Sequence, residues 1–240
     1  MKKLILVILM TMVTMGAQAK TLIVYYSYTN NVERIVNELR AKIEADVIEI
    51  EPAEKGLDYA ADNYAIGSSQ IAAIRSNPDD AASYPAIDPV NVDLSQYSTV
   101  IIGAPLWWSN MAAPLQTFLF NYGNEMAGKN IGLIVSSASS GISGVESDAK
   151  RLIPDGKFLS PSLWIRSSQT SSAKSLLQGW LQAIDYYNLT SGIESISNDE
   201  EVRFTAYTLS GSRLLSNAES IEVLPNGLYI INGKKTIITR

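Results

Sequence analysis

The chain contains no cysteine and no histidine among its 240 residues. Their absence removes thiolate nucleophiles, disulfides, Cys/His zinc sites, His-ligated haem and Ser-His-Asp triads together. What remains is carboxylate chemistry, as an acid/base pair or an all-carboxylate cation site, or transfer of electrons or hydride on a bound organic cofactor, which needs no reactive side chain. Positive charge is also scarce, with 19 Lys and Arg against 24 Asp and Glu and a formal net charge of −5. That balance gives no electrostatic footprint for a nucleic-acid backbone, so nucleic acid is not expected as a partner. Long apolar runs are missing too: none reaches the roughly 20 residues that cross a bilayer as a permanent helix.

The apolar stretch Leu4 to Met15 follows Lys2 and Lys3 and precedes Ala17-Gln18-Ala19, a small-residue cleavage site. This is the layout of a secretory signal peptide over residues 1–19. The mature chain is therefore expected to be soluble and exported to the periplasm, the cell surface or the medium, with no transmembrane segment. The lack of cysteine agrees with export, although an oxidising compartment permits disulfides without requiring them.

Short apolar runs alternate with helical periodicity between Thr21 and Ile184, the pattern of a parallel sheet flanked by helices. Strands are expected at Leu22–Tyr26, Val47–Ile50, Thr99–Gly103, Ile131–Ser136 and Phe158–Ile165. Apolar stripes predict helices through Val32, Ile35, Val36, Leu39 and Ile43, through Leu115 to Tyr122, through Val145 to Ile153, and through Leu176 to Ile184. Right-handed crossovers then give a doubly wound three-layer α/β sandwich over residues 20–186. The 51–98 segment is too long for a bare loop. Ile66, Ile71 and Ile74 predict a helix there, and Asn77-Pro78-Asp79-Asp80 and Tyr84-Pro85 predict turns. Two readings stay open for it, a crossover helix with a surface excursion or a rim over a ligand site.

Residues 187–201 read as a linker around Asn188–Gly192. Residues 202–240 read as a small all-β unit, with strands at Val202–Leu209, Ser220–Val223, Gly227–Ile231 and Lys235–Thr239 and turns at Pro225-Asn226-Gly227 and Asn232-Gly233.

In an open parallel sheet, ligands bind beyond the carboxyl ends of the strands. The first strand runs into Ser27-Tyr28-Thr29-Asn30-Asn31-Val32, where hydroxyls precede a helix N-terminus able to hold an anion on its unpaired amides. An ordinary capped turn reads the same way. The third strand ends in Pro105-Leu106-Trp107-Trp108-Ser109-Asn110. Adjacent tryptophans face different directions, so one ring is available to stack on a ligand; alternatively both cap the sheet edge beneath the 51–98 excursion. The fourth strand ends in a Ser/Gly run through Ser139, Ser140, Gly141 and Gly144, whose backbone can approach a ring closely.

Val24-Tyr-Tyr-Ser-Tyr-Thr-Asn-Asn-Val32, Gly103-Ala-Pro-Leu-Trp-Trp-Ser109 and Ser137–Gly144, in this order and spacing, resemble the three flavin mononucleotide (FMN) loops of flavodoxin-like proteins, especially a group with a Pro-x-Trp-Trp loop. The resemblance implies a five-stranded parallel sheet in the order 2-1-3-4-5 and FMN as cofactor. It implies Ser27, Tyr28, Thr29, Asn30, Asn31 and Val32 as the first cofactor loop, with Ser27, Thr29, Asn30 and Asn31 on the phosphate. Pro105, Leu106, Trp107, Trp108, Ser109 and Asn110 would flank the isoalloxazine ring, and Ser139, Ser140, Gly141 and Gly144 its other edge. No catalytic side chain and no metal are implied. The chain departs from the family's Ser-x-Thr-Gly-Asn-Thr at two positions. Asn30 stands for Gly, which positive φ tolerates, and Val32 stands for Thr, which removes a hydroxyl. Tyr207–Leu215 and Leu224–Lys235 resemble C-terminal sorting domains of the type IX secretion pathway, which implies an export machinery as partner.

The function expected is that of an exported FMN protein passing electrons or hydride from a reduced donor to a quinone-like or protein acceptor. The alternatives are a flavin-free binding module on the same scaffold and a surface-layer or adhesion component. The mature chain is expected to begin at Lys20. Intact-mass measurement of the exported protein checks this, and soluble protein that retains residues 1–19 would overturn it.

Overall fold

The computed structural model describes residues 20–139, 141–190, 204–218 and 220–239. The expected signal peptide, Ser140 and the 191–201 part of the expected linker lie outside them.

The architecture follows from strands that are apolar on both sides. β1 (Lys20–Tyr25) and β3 (Tyr97–Trp107) lie side by side and parallel, with Val24 opposite Ile102. Successive side chains of a strand point to opposite faces. Leu22, Val24, Val100 and Ile102 therefore enter one buried cluster, and Ile23, Tyr25 and Ile101 enter another. Each face must be covered. α1 (Asn31–Arg40) and α5 (Ala173–Ala183) close one with Ile35, Leu39, Leu177 and Trp180. α2 (Ala61–Ser76), α3 (Ala113–Tyr122) and α4 (Ser143–Leu152) close the other with Ile71, Ile74, Phe118, Leu119 and Val145. Full burial of each such side chain contributes about 1.5–3 kcal/mol, which makes this double packing the main source of stability.

β2 (Asp46–Glu49) pairs with the outer side of β1, and β5 (Asn130–Ser137) with the far side of β3. The expected fifth strand is broken in two. β6 (Lys157–Phe158) and β7 (Leu163–Arg166) each pair with β5, and Pro161, which has no N–H to give to a ladder, lies between them. With β6 and β7 counted as one strand, the order is the expected 2-1-3-4-5, a flavodoxin-like parallel sheet. β3 runs past the expected end and folds back on β4 (Asn110–Met111).

Within the 51–98 excursion α2 is irregular at first, since Asp62, Asn63 and Tyr64 have φ of 48°, 55° and 64°. Its buried stripe is Gly67, Ile71 and Ile74. A short helix, α6 (Tyr186–Thr190), stands where the composition reads as linker, with the Tyr186 hydroxyl 2.8 Å from Thr21 Oγ1.

The C-terminal residues form a separate antiparallel sheet of β8 (Phe204–Tyr207), β9 (Arg213–Ala218), β10 (Gly227–Ile231) and β11 (Lys234–Ile238), in the order β11-β10-β8-β9. Ser220–Val223 is not a strand. Its apolar pattern arises because Ile221, with Leu224, is buried from a turn beside Phe204 and Ile231. The second strand is Arg213–Ala218 instead.

Gly103 sets how closely α1 lies on the sheet, since a Cβ there would fall 2.9 Å from Tyr25 Cβ and 3.0 Å from Val32 Cγ1. Gly103→Ala is expected to lower stability by about 1–3 kcal/mol through overpacking. Urea unfolding should show a lower midpoint at unchanged slope; an unchanged midpoint would show that α1 is free to move outward.

Candidate functional site

β1, β3, β5 and β7 deliver four loops to one end of the sheet, the carboxyl end where ligands of this architecture bind. The first loop is shaped by Asn30, whose φ of 60° turns the chain into α1. Ser27 Oγ accepts the Glu33 amide at 3.2 Å. Asn31 Nδ2 donates to Thr29 Oγ1 at 3.1 Å, and Asn31 Oδ1 accepts from Thr170 at 3.4 Å. The amides of Asn31 and Val32 have no acceptor within α1, and the positive end of its dipole lies at the same place. Val32 is 2% exposed, and its side chain packs beside Gly103. Tyr28 lines a cavity at this end of the sheet while its hydroxyl reaches the excursion. Its hydroxyl donates to Asp58 at 2.8 Å and accepts from the Ala60 amide at 3.1 Å, tying the first loop to the excursion. That bond holds the Asp58 carboxyl below the usual carboxylate range and the Tyr28 hydroxyl above its own.

The tryptophans sit where β3 meets a two-residue hairpin turn, Trp107 as its last paired residue and Trp108 as the first residue of the turn. Leu106 pairs with Met111 and Trp107 with Asn110, leaving Trp108 and Ser109 at φ 46° and 66°. Turns of this kind favour Asn-Gly, and the left-handed conformation costs another residue roughly 1–2 kcal/mol. The two rings then part company. Trp107 is wedged inward, edge-on to Tyr26 at 5.6 Å and tilted against Tyr59 at 4.8 Å. Trp108 is 41% exposed, with Tyr64 at 6.5 Å. Trp107 is thus the inward-packed ring and Trp108 the exposed one, and both line the cavity at this end of the sheet. Gly67 lets α2 meet both, since a Cβ there would lie 3.0 Å from Trp108 Cζ3 and 3.4 Å from Trp107 Cε3.

A cavity of about 240 Å³ opens between these groups, lined by Tyr28, Thr29, Tyr59, Tyr64, Gly67, Leu106, Trp107 and Trp108. None of the lining residues is charged. The 51–98 excursion forms one wall through Tyr59, Tyr64 and Gly67, which supports the rim reading. Burial raises the Tyr59 hydroxyl above its ordinary pKa, keeping it neutral.

Three expected site residues serve the fold instead. Gly144 lies against the backbone of the tryptophan turn, because a Cβ would fall 1.7 Å from the Ser109 carbonyl oxygen. Asn110 is committed to Arg75 Nε at 2.7 Å and Asp148 Oδ2 at 2.8 Å. Pro105 sits in the β3 ladder and its carbonyl accepts the Ala112 amide at 3.1 Å. Ser109, Ser139 and Gly141 are exposed and do not line the cavity, and Ser140 lies outside the described residues. Sequence reasoning missed Tyr59, Tyr64, Gly67 and Thr170. The one available signal was Gly67, which shares a helical face with Ile71 and Ile74. Among the described residues no three Asp or Glu side chains gather into a cation site.

The family profile described as flavodoxin matches residues 20–184. No curated protein matches the chain. Among solved structures, a candidate flavoprotein from Bacteroides eggerthii is 24% identical, with 70% of this chain and 98% of that one covered and a TM-score of 0.55. A second, from Bacteroides uniformis, is 24% identical over 67% of this chain and 98% of that one, with a TM-score of 0.52. A flavoprotein from Lactobacillus acidophilus, solved in complex with FMN, is 23% identical over 65% and 99%, with a TM-score of 0.51. These likenesses are of fold. With more than half of its length matched by the family profile and the sheet order and site loops in place, the chain belongs to the flavodoxin family.

Proposed function

We propose that this chain binds FMN at the carboxyl end of its sheet and acts as an electron or hydride carrier. One observation carries the reading: Thr29, in the loop before the open end of α1, and Trp108, on the hairpin turn, line the same uncharged cavity. An anion-binding helix end and a stacking ring thus lie within reach of one ligand that has both a phosphate and a flat ring system. The residues present fit such a group. Asn30 already holds the left-handed conformation for which the family uses glycine, and Gly67 leaves room for the Trp108 ring, which a Cβ there would meet at 3.0 Å.

Ser27, Thr29 and Asn31, with the first amides of α1, would hold the phosphate, and Trp108 and Tyr64 would meet the ring. Bound FMN supplies the redox chemistry itself. The chain's residues orient it, exclude water through Leu106, Tyr59 and Trp107, and place no carboxylate, lysine or arginine in the cavity lining. A quinone-like or protein acceptor and an extracytoplasmic setting are part of the proposal. They are supported by the uncharged cavity and by the Lys2 to Ala19 pattern. Delivery through the C-terminal sheet as a sorting address is proposed on its resemblance alone.

The purified protein should be yellow and should bind FMN. Thr29→Ala is expected to weaken FMN by roughly 1–2 kcal/mol, as for loss of a hydrogen bond to a charged group, while riboflavin, without the phosphate, stays nearly unaffected. Titration with both ligands tests this. Equal losses would make Ser27–Val32 a capped turn only and favour the flavin-free alternative. Trp108→Ala is expected to weaken both ligands by about 0.5–1.5 kcal/mol and to brighten bound-flavin fluorescence, because a stacked indole quenches it; unchanged fluorescence would remove Trp108 from the ring site.

A further inference from the structure

The turn that presents Trp108 is held from outside the cavity. Neither Trp108 nor Ser109 favours its left-handed backbone, so the conformation persists only where the surroundings over-determine it. Those surroundings are two polar residues on different helices. From α4, Asp148 is 7% exposed and accepts both the Asn110 side-chain amide at 2.8 Å and the Met111 backbone amide at 2.9 Å through one oxygen. Its other oxygen lies 3.5 Å from Arg151. Arg151 is itself fixed by Gln116 and the Tyr84 hydroxyl, each at 2.9 Å. From α2, Arg75 donates through Nε to Asn110 Oδ1 at 2.7 Å and through a terminal nitrogen to the Trp108 carbonyl. Asn110 therefore bridges a carboxylate on one helix to a guanidinium on another, and the guanidinium grips the carbonyl of the presented residue.

We propose that Asp148 and Arg75 are positioning residues, which clamp the Trp107–Asn110 turn so that the Trp108 ring faces the cavity. Neither residue lines the cavity. A buried carboxylate is costly unless its lone pairs are used, and Asp148 directs two of its bonds at this turn. Arg75 is exposed, so its two bonds are not needed to satisfy a buried charge. The consequence for flavin rests on the FMN reading; the clamp itself does not.

The test uses a property of the ligand-free protein. Trp107 and Trp108 lie 6.3 Å apart at 78°, close enough to couple, so the pair should give an exciton couplet in the far-ultraviolet circular dichroism, with Trp108→Phe as the baseline. Arg75→Met and Asp148→Leu, which removes the acceptor altogether, should each lose more than half of the couplet in the full-length mature protein. In Arg75→Met the urea midpoint should stay near that of the wild type. FMN and riboflavin affinities should fall by the same factor, roughly tenfold, since the defect is at the ring and not the phosphate. Arg75→Lys, with one donor position in place of two, should recover part of the signal. If Asp148→Leu does not fold, Arg75→Met decides. A wild-type couplet in Arg75→Met, or a couplet that falls only in step with unfolding, would overturn the clamp. If the wild type binds no flavin but the couplet collapses in the variants, the clamp stands and the FMN reading falls.

Discussion

Two-sided burial of the central strands is the constraint on which the other features depend. β1 and β3 present apolar side chains to both faces, so no arrangement with one face in water is open to them. Two helical layers must form, crossovers must carry the chain between them, and polar residues are driven to the strand ends. The serine, threonine and asparagine of the first loop gather at one end for this reason. Gly103 and Gly132 belong to the same constraint: each stands where a Cβ would come within 3.1 Å of a neighbouring side chain, so the layers close on bare backbone.

The site is asymmetric in what supports it. Its first-loop end is made mostly of local structure, a left-handed Asn30 followed by a helix, with Thr170 and Asp58 as its contacts from further along the chain. Its tryptophan end is built over long range. Trp107 is fixed by Tyr26 and Tyr59, Trp108 is approached by Tyr64 and Gly67, and the backbone between them is held from α2 and α4. An aromatic surface assembled from distant segments can keep a strained turn in place, because the cost is spread over contacts that are favourable on their own account. The excursion at 51–98 is therefore part of the cavity wall, and Tyr28, latched to Asp58 and Ala60, joins that wall to the first loop.

Electrostatics follow the same division. The cavity lining is uncharged, and burial keeps the nearby tyrosine hydroxyls protonated, with Tyr26 and Tyr59 both raised. Charged groups act at one remove, Asp148 and Arg75 on the turn and Asp58 on the loop. In such surroundings the chain itself contributes orientation and exclusion of water, in keeping with a sequence that has neither cysteine nor histidine.

Periodicity alone determined the three-layer sheet, because continuous β-branched runs and apolar stripes are local patterns with one economical packing. The loop Ser27–Val32 was legible for the same reason: strand, hydroxyls and helix are adjacent in sequence. Where a proline interrupts, as between β6 and β7, the apolar run misled, since Pro161 has the right neighbours but no N–H for the ladder. In the tail, Ile221 mimicked a strand because burial under a sheet and membership of one look alike over four residues. Tertiary structure alone decided which tryptophan packs inward and which stays exposed at the cavity, that Gly144 and Asn110 contact the turn, and that Tyr59 and Tyr64 wall the cavity. These assignments depend on contacts between residues some 35 to 50 positions apart, such as Tyr59 with Trp107, Gly67 with Trp108 and Gly144 with Ser109. Such contacts exist only once the sheet has brought its strand ends together.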